Sequence, residues 1–202
     1  MKKKIRIVVN ICLAVMVFGA WLDMLFFAEG TLAEVGVRSL KYFTIQSNLL
    51  VGIAAVIWLA HCKKGVSKAV ESFKYVAAAA VALTFITVMT FLGPMYGYPE
   101  MLVGANLWLH LIVPVAAIAE IIFLSDAEYT RRDNNLAILP LAIYGTFYLA
   151  NNVINGIGEW PDTNDWYLFL TWGYPIGFVI FALLFLVTWL MAFGMRKARR
   201  RR

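Results

Sequence analysis

The sequence predicts an all-α fold, a polytopic membrane bundle of about six transmembrane helices forming a single domain over residues 1–202, with both termini cytoplasmic. Three observations predict it. Hydrophobic residues make up 62% of the chain and charged ones 15%, with mean hydropathy +0.75, too little polar material to clothe a water-facing surface. Six stretches reach the roughly 20 apolar residues that a bilayer crossing requires. Lysine and arginine alternate sharply between the two ends of those stretches, which fixes their orientation.

The first span covers 5–28 and follows the basic start Lys2, Lys3, Lys4 and Arg6. Phe18-Gly19-Ala20 imitates a signal-peptide cleavage site, but Trp21, Leu22, Met24, Leu25 and Phe26 prolong the apolar run past a signal core of about 7 to 15 residues. The second span, 40–60, ends at Lys63-Lys64-Gly65, and the third, 72–92, ends at Gly93-Pro94. The fourth, 106–124, stops at Ser125-Asp126 before Arg131-Arg132-Asp133, and the fifth, 134–155, gives way to a turn-rich stretch containing Pro161. The sixth, 166–193, runs into the tail Arg196 to Arg202, a lipid-headgroup anchor rather than a nucleic-acid site. These runs are apolar all round, whereas a barrel needs alternating strands of about 10 residues.

Of the 18 basic residues, only Arg38 and Lys41 fall outside the termini and the even-numbered loops, so those regions are assigned to the cytoplasm. The opposite loops hold Glu29, Glu34, Glu100, Glu159, Asp162 and Asp165, with Tyr96, Tyr98, Trp160 and Trp166 as interfacial aromatics. A multi-pass protein of the cell membrane, with membrane lipids as its partners, is the reading. Cys12 and Cys62 lie toward the cytoplasmic side, where disulfides are rare. No Cys/His pair has zinc spacing and no phosphate-binding glycine motif occurs, so no metal or cofactor is expected.

Polar side chains are costly in hydrocarbon, so their depth is informative. Thr44, Gln46, Ser47 and Asn48 open the second span, and Asn106 and His110 open the fourth. Asp23 lies near the outer end of the first, Tyr148, Asn151, Asn152 and Asn155 near that of the fifth, and Thr171 and Tyr174 begin the sixth. Residues four apart share a helix face, which pairs Thr44 with Asn48, Asn106 with His110, and Tyr148 with Asn152. Pro114 and Pro175 free the carbonyls of His110 and Thr171 at the same depth. The inner halves are poorer in polar groups, which disfavours a two-sided transport path; Glu120 there is expected to meet a neighbouring helix or snorkel. Gly173 and Gly177 have the spacing of a helix contact.

Two function classes fit. In the first, His110 takes the proton of the Thr44 hydroxyl, and the alkoxide attacks an ester carbonyl presented from the bilayer. His61 is the only other histidine and sits about 30 Å away at the other end, which also excludes a haem bridging the two. In the second, the same layer binds or transports a lipid or small molecule, with Asp23 and His110 as proton-linked groups. Threonine bonded to its own helix and histidine or asparagine bridging helices are the structural alternatives.

Lys41-Tyr42-Phe43-Thr44-Ile45 and Asn106-Leu107-Trp108-Leu109-His110, followed by Pro114 and Glu120, resemble the two signature regions of the androgen-induced / FAR-17a membrane protein family. Phe43 to Asn48 is similar to its bacterial Pr6Pr-type members. The resemblance implies a six-helix intramembrane hydrolase of lipid or fatty acid esters, with Thr44 as catalytic nucleophile and His110 as base. The chain departs from the animal pattern at Leu107, where a second histidine would stand, and Pro114 is one residue closer to His110. Asp23, Asn48, Asn106, Tyr148 and Asn152 are candidates to orient the base or bind substrate.

Overall fold

The computed structural model describes residues 1–27, 36–159 and 163–201. Ala28, Glu29, Glu34, Trp160, Pro161, Asp162 and Arg202, which the sequence assigns to a span end, loops and the tail, lie outside the described residues. No strand occurs among those described. Six helices are long and apolar enough to cross a membrane, which makes the chain a multi-pass membrane protein: α1 (Lys2–Phe27), α2 (Phe43–His61), α3 (Lys68–Tyr96), α4 (Ala105–Leu124), α5 (Arg131–Asn155) and α6 (Tyr174–Arg200). They alternate in direction, so both termini share one end, called here the terminal end.

α3 is the central helix. It touches α1's neighbour α2 on one side, α4 on another and α6 on a third. Its run Ala77 to Ala80 with Ala82 is fully buried, because small side chains let three backbones approach where lipid supplies no hydrophobic drive. Its start is set by Ser67, whose hydroxyl accepts from the Val70 N–H, and α5 begins with a reciprocal Thr130/Asp133 capping box. α2 and α4 are neighbours, the one packing relation on which a shared Thr44/His110 site depends.

Two prolines shape the end opposite the termini. α3 widens into a π turn at Val88–Leu92, the Gly93 N–H reaching back to the Val88 carbonyl; α4 does the same at Trp108–Ile112, Val113 reaching Trp108. In that register the carbonyl awaiting the next residue belongs to Met89 in α3 and to Leu109 in α4. The next residues are Pro94 and Pro114, which have no N–H to give. Both orphaned acceptors are satisfied by side chains: the Tyr98 hydroxyl donates to Met89 O at 2.7 Å, and Asn48 Nδ2 donates to Leu109 O at 3.0 Å. α geometry places the freed carbonyl at His110; the π turn moves it to Leu109. Gly93 is required for the first arrangement, since a Cβ there would lie 2.4 Å from the Tyr98 ring.

The sixth helix begins at Tyr174, eight positions later than hydropathy places it. Residues 166–173 are apolar but are folded as turns by Asp165, whose carboxylate accepts from the Phe169 and Leu170 N–H groups at 2.9 and 2.8 Å. Leu168 takes a left-handed φ of 58° to complete that turn, a strained choice for a branched residue. Pro175 therefore stands in the first turn of α6, where no N–H is needed, and frees no mid-helix carbonyl at Thr171. Gly173, at φ 86°, starts the helix, and Gly177 packs on Leu170.

The inner halves are richer in charge than the sequence reading holds. Arg6 and Lys74, counted there as flanking cations, are buried, as are Glu71 and Glu120. Arg6 makes two 2.7 Å bonds to Glu71 and a third from Nε to Glu120, while Lys74 reaches Glu120 at 2.8 Å. Asn10 donates to Glu120 at 3.1 Å and accepts from Lys74; Trp58 donates to Glu71 at 3.0 Å and stacks under Arg6. Two cations and two anions balance, which is what allows four charges to sit away from water. The unit ties α1, α2, α3 and α4 together at the terminal end.

Candidate functional site

Thr44 is the second residue of α2, half-buried, at the end opposite the termini. The helix begins there because Tyr42 holds an extended backbone and the Phe43 N–H is capped from outside the helix, by the Tyr167 hydroxyl at 3.0 Å. Tyr167 and Thr44 also line one cavity together. Standing in the first turn of a 19-residue helix, Thr44 sits where the positive end of the helix dipole favours negative charge.

His110 is buried, within the π turn of α4. Its Nδ1 lies 2.7 Å from the Met101 carbonyl. A carbonyl only accepts, so Nδ1 carries the proton, and a neutral ring then presents Nε2 as a lone pair. That is the tautomer a general base requires.

Thr44, Asn106, His110 and Tyr167 line one cavity of about 30 Å³, walled also by Met24, Tyr42, Ile45, Leu92 and Met101. The space suffices for a water molecule or two. On its other side Thr44 borders a second cavity of about 50 Å³, lined by Phe43, Leu83, Val88, Phe91, Leu141 and Phe181 among others. Thr44, Leu92 and Tyr167 are common to both, so the hydroxyl stands at the junction of a polar and an apolar compartment.

Asn48, one turn below Thr44, spends its amide N–H groups on the Thr44 and Leu109 carbonyls, at 2.8 and 3.0 Å. Its Oδ1 is buried with no partner among the described residues, an acceptor left for water or a ligand hydroxyl. Asn48 thus binds α2 to α4 directly beneath the Thr44/His110 cavity.

The remaining candidates lie elsewhere. Asp23 is exposed and lines a separate groove between α1 and α4; its neighbour Met24 reaches the cavity. Tyr148 donates to Asp165, and Asn152 donates to the Tyr148 and Asn164 carbonyls at 2.9 and 3.0 Å. These two, with Asn151 bonded to Asn164 and Asn155 to Asn151, clasp the stretch that follows α5 instead of touching the cavity. Their bearing on Thr44 is indirect: Asp165 folds the turn that delivers Tyr167, whose ring lies 6.2 Å from Tyr148 and 6.3 Å from Tyr144. Gln46 and Thr171 are exposed, and Ser47 bonds Thr84 of α3 at 3.0 Å.

Tyr167 is the site residue that sequence reasoning missed. It sits in what reads as the apolar opening of a span, and nothing in its spacing marks it. Trp166, an interfacial anchor by sequence, instead donates to the Tyr144 hydroxyl at 2.9 Å, which in turn donates to the Lys41 carbonyl. Against this geometry, no family model, no curated protein and no solved structure matches the chain.

Proposed function

We propose that the protein is an intramembrane hydrolase of lipid or fatty acid esters, with Thr44 as nucleophile and His110 as base, and that it resides in the cell membrane with both termini and the basic ends of its helices in the cytoplasm. The observation that carries the reading is that Thr44 and a histidine whose Nδ1 is held by the Met101 carbonyl border the same small cavity. The charge count of the loops supports the orientation, and the motifs around Thr44 and His110 support membership of the androgen-induced / FAR-17a family.

In the first half-reaction His110 Nε2 accepts the Thr44 proton as Oγ1 bonds to the ester carbonyl carbon. The oxyanion forms beside the first turn of α2 and the Tyr167 hydroxyl, groups that supply positive potential without rearranging. The alcohol leaves with the proton from His110, and the acyl group stays on Thr44. A water held in the polar cavity then attacks, His110 again taking and returning a proton, and the acid is released. The start of the acyl chain enters the apolar compartment beyond Thr44, among Phe43, Leu83, Phe91 and Phe181, whose volume of about 50 Å³ takes only a short part of it, and the rest of the chain runs out into the bilayer.

The test is turnover of long-chain esters by purified protein in detergent or lipid discs. Thr44→Ala and His110→Ala are each expected to lower kcat by at least about a hundredfold, within the range typical of losing a general base. Unchanged turnover in Thr44→Ala would sink the proposal and leave the same cavity as a binding site without bond cleavage.

A further inference from the structure

Near the end opposite the termini, α1 and α4 part to leave an open groove of about 440 Å³, distinct from the two cavities beside Thr44. Gly19, Ala20, Gly104 and Ala105 form part of its floor, and Asp23 and Trp108 stand in it. Glycines on a membrane helix usually serve close helix contact, but a Cβ at Gly19 would meet nothing within 4 Å, while Gly104, just before α4, serves a backbone turn at φ 53°. The small residues here keep a space open.

Asp23 gives that space a chemistry. Its carboxylate is exposed and has no hydrogen bond or ion pair among the described residues. Residues 28–35 contain no lysine, arginine or histidine to neutralise it. With the middle of α1 set at the bilayer midplane, Asp23 lies about 13 Å from it, at the edge of a hydrocarbon layer about 30 Å thick. A carboxylate at that level is costly unless a cation meets it. Trp108 is 41% exposed in the same groove, an aromatic face of the kind that attracts ammonium groups. Two turns deeper, Val15 and Met16 continue the groove as an apolar surface suited to acyl chains.

We propose that this groove binds a phospholipid with an ammonium headgroup from the leaflet opposite the termini, the ammonium held between the Asp23 carboxylate and the Trp108 ring and the chains lying along Val15 and Met16. The site takes phosphatidylethanolamine or phosphatidylcholine and rejects phosphatidylglycerol, whose headgroup has no cation.

Native mass spectrometry of the full chain, after incubation with equal amounts of phosphatidylethanolamine, phosphatidylcholine and phosphatidylglycerol of identical chains, tests this. The ammonium lipids are expected to be retained about tenfold over phosphatidylglycerol, the size of one ion pair plus one cation–π contact. Asp23→Asn and Trp108→Leu should each bring that ratio toward unity, and Asp23→Glu should keep it. Trp108 is exposed, so its variant reports even if Asp23→Asn folds poorly. Equal retention of phosphatidylglycerol by the wild type, or an unchanged preference in both variants, overturns the proposal. So does displacement of the lipid by soluble glycerophosphoethanolamine, which would make the ligand a free amine, or covalent dimerisation of Gly19→Cys, which would put a second copy of the chain in the groove.

Discussion

Asn48→Ala is expected to destabilise the protein by leaving the Leu109 carbonyl without a donor, and Pro114→Ala is expected to repair that loss. The Thr44 carbonyl, the other acceptor of the Asn48 amide, keeps its own helical N–H, so one buried acceptor is orphaned. Such a group costs about 1–3 kcal/mol, and Asn48 is 1% exposed, so water offers little relief. In a chain of 202 residues this lowers Tm by about 2–12 °C. Replacing Pro114 returns an N–H at the position whose π-turn acceptor is Leu109, so the double variant should recover about 0.5–3 kcal/mol relative to the sum of the singles. Thermal unfolding of the four proteins in one detergent measures the cycle. Additive losses would refute the claim that the π turn, the proline and Asn48 form one device.

Other outcomes follow from the same geometry. Glu120→Gln removes one anion from the buried quartet and should cost about 3–5 kcal/mol, whereas Lys74→Met with Glu120→Leu should cost less than either of those two changes alone, because the pair leaves no unmatched charge; a denaturation series on the single and double variants checks the order. Gly93→Ala should displace Tyr98 from the Met89 carbonyl and destabilise by about 1–3 kcal/mol, while Gly19→Ala should leave Tm nearly unchanged, since its Cβ meets only open space. The Lys2 ammonium, bonded at 2.8 Å, holds the Asp126 carboxyl below the usual carboxylate range. Its contribution is therefore present above the ordinary carboxylate pKa of about 3.9 and is lost as pH falls below it. Both side chains face solvent, so Lys2→Met should produce only a small Tm change at neutral pH, which vanishes in acid or high salt.

The six crossings were legible because hydropathy over about 20 residues reports a property of the whole helix. The placement of Thr44, Asn106 and His110 at one level was legible as well, since each stands a few residues from a span end marked by turn residues. What hydropathy cannot register is backbone repair. Residues 166–173 read as span because they are apolar, yet Asp165 collects two of their N–H groups and Pro175 sets a later start. Positive-side counting assigns Arg6 and Lys74 to loops by position alone. The signals for their burial were present but local: Arg6 with Asn10 and Glu71 with Lys74 share helix faces, and Glu120 needed a partner. The asparagines of α5 were visible as polar, but that they clasp the chain following their own helix depends on the turn made after Asn155.

The central claim is an activated Thr44 hydroxyl served by His110. Its most direct test is labelling of the purified, folded protein with a fluorophosphonate probe, with the modified residue mapped by mass spectrometry. An adduct on Thr44 is expected in the wild type and none in Thr44→Ala or His110→Ala; a well-folded wild type that takes no label, or labels elsewhere with both variants unaffected, would contradict the Thr44/His110 assignment.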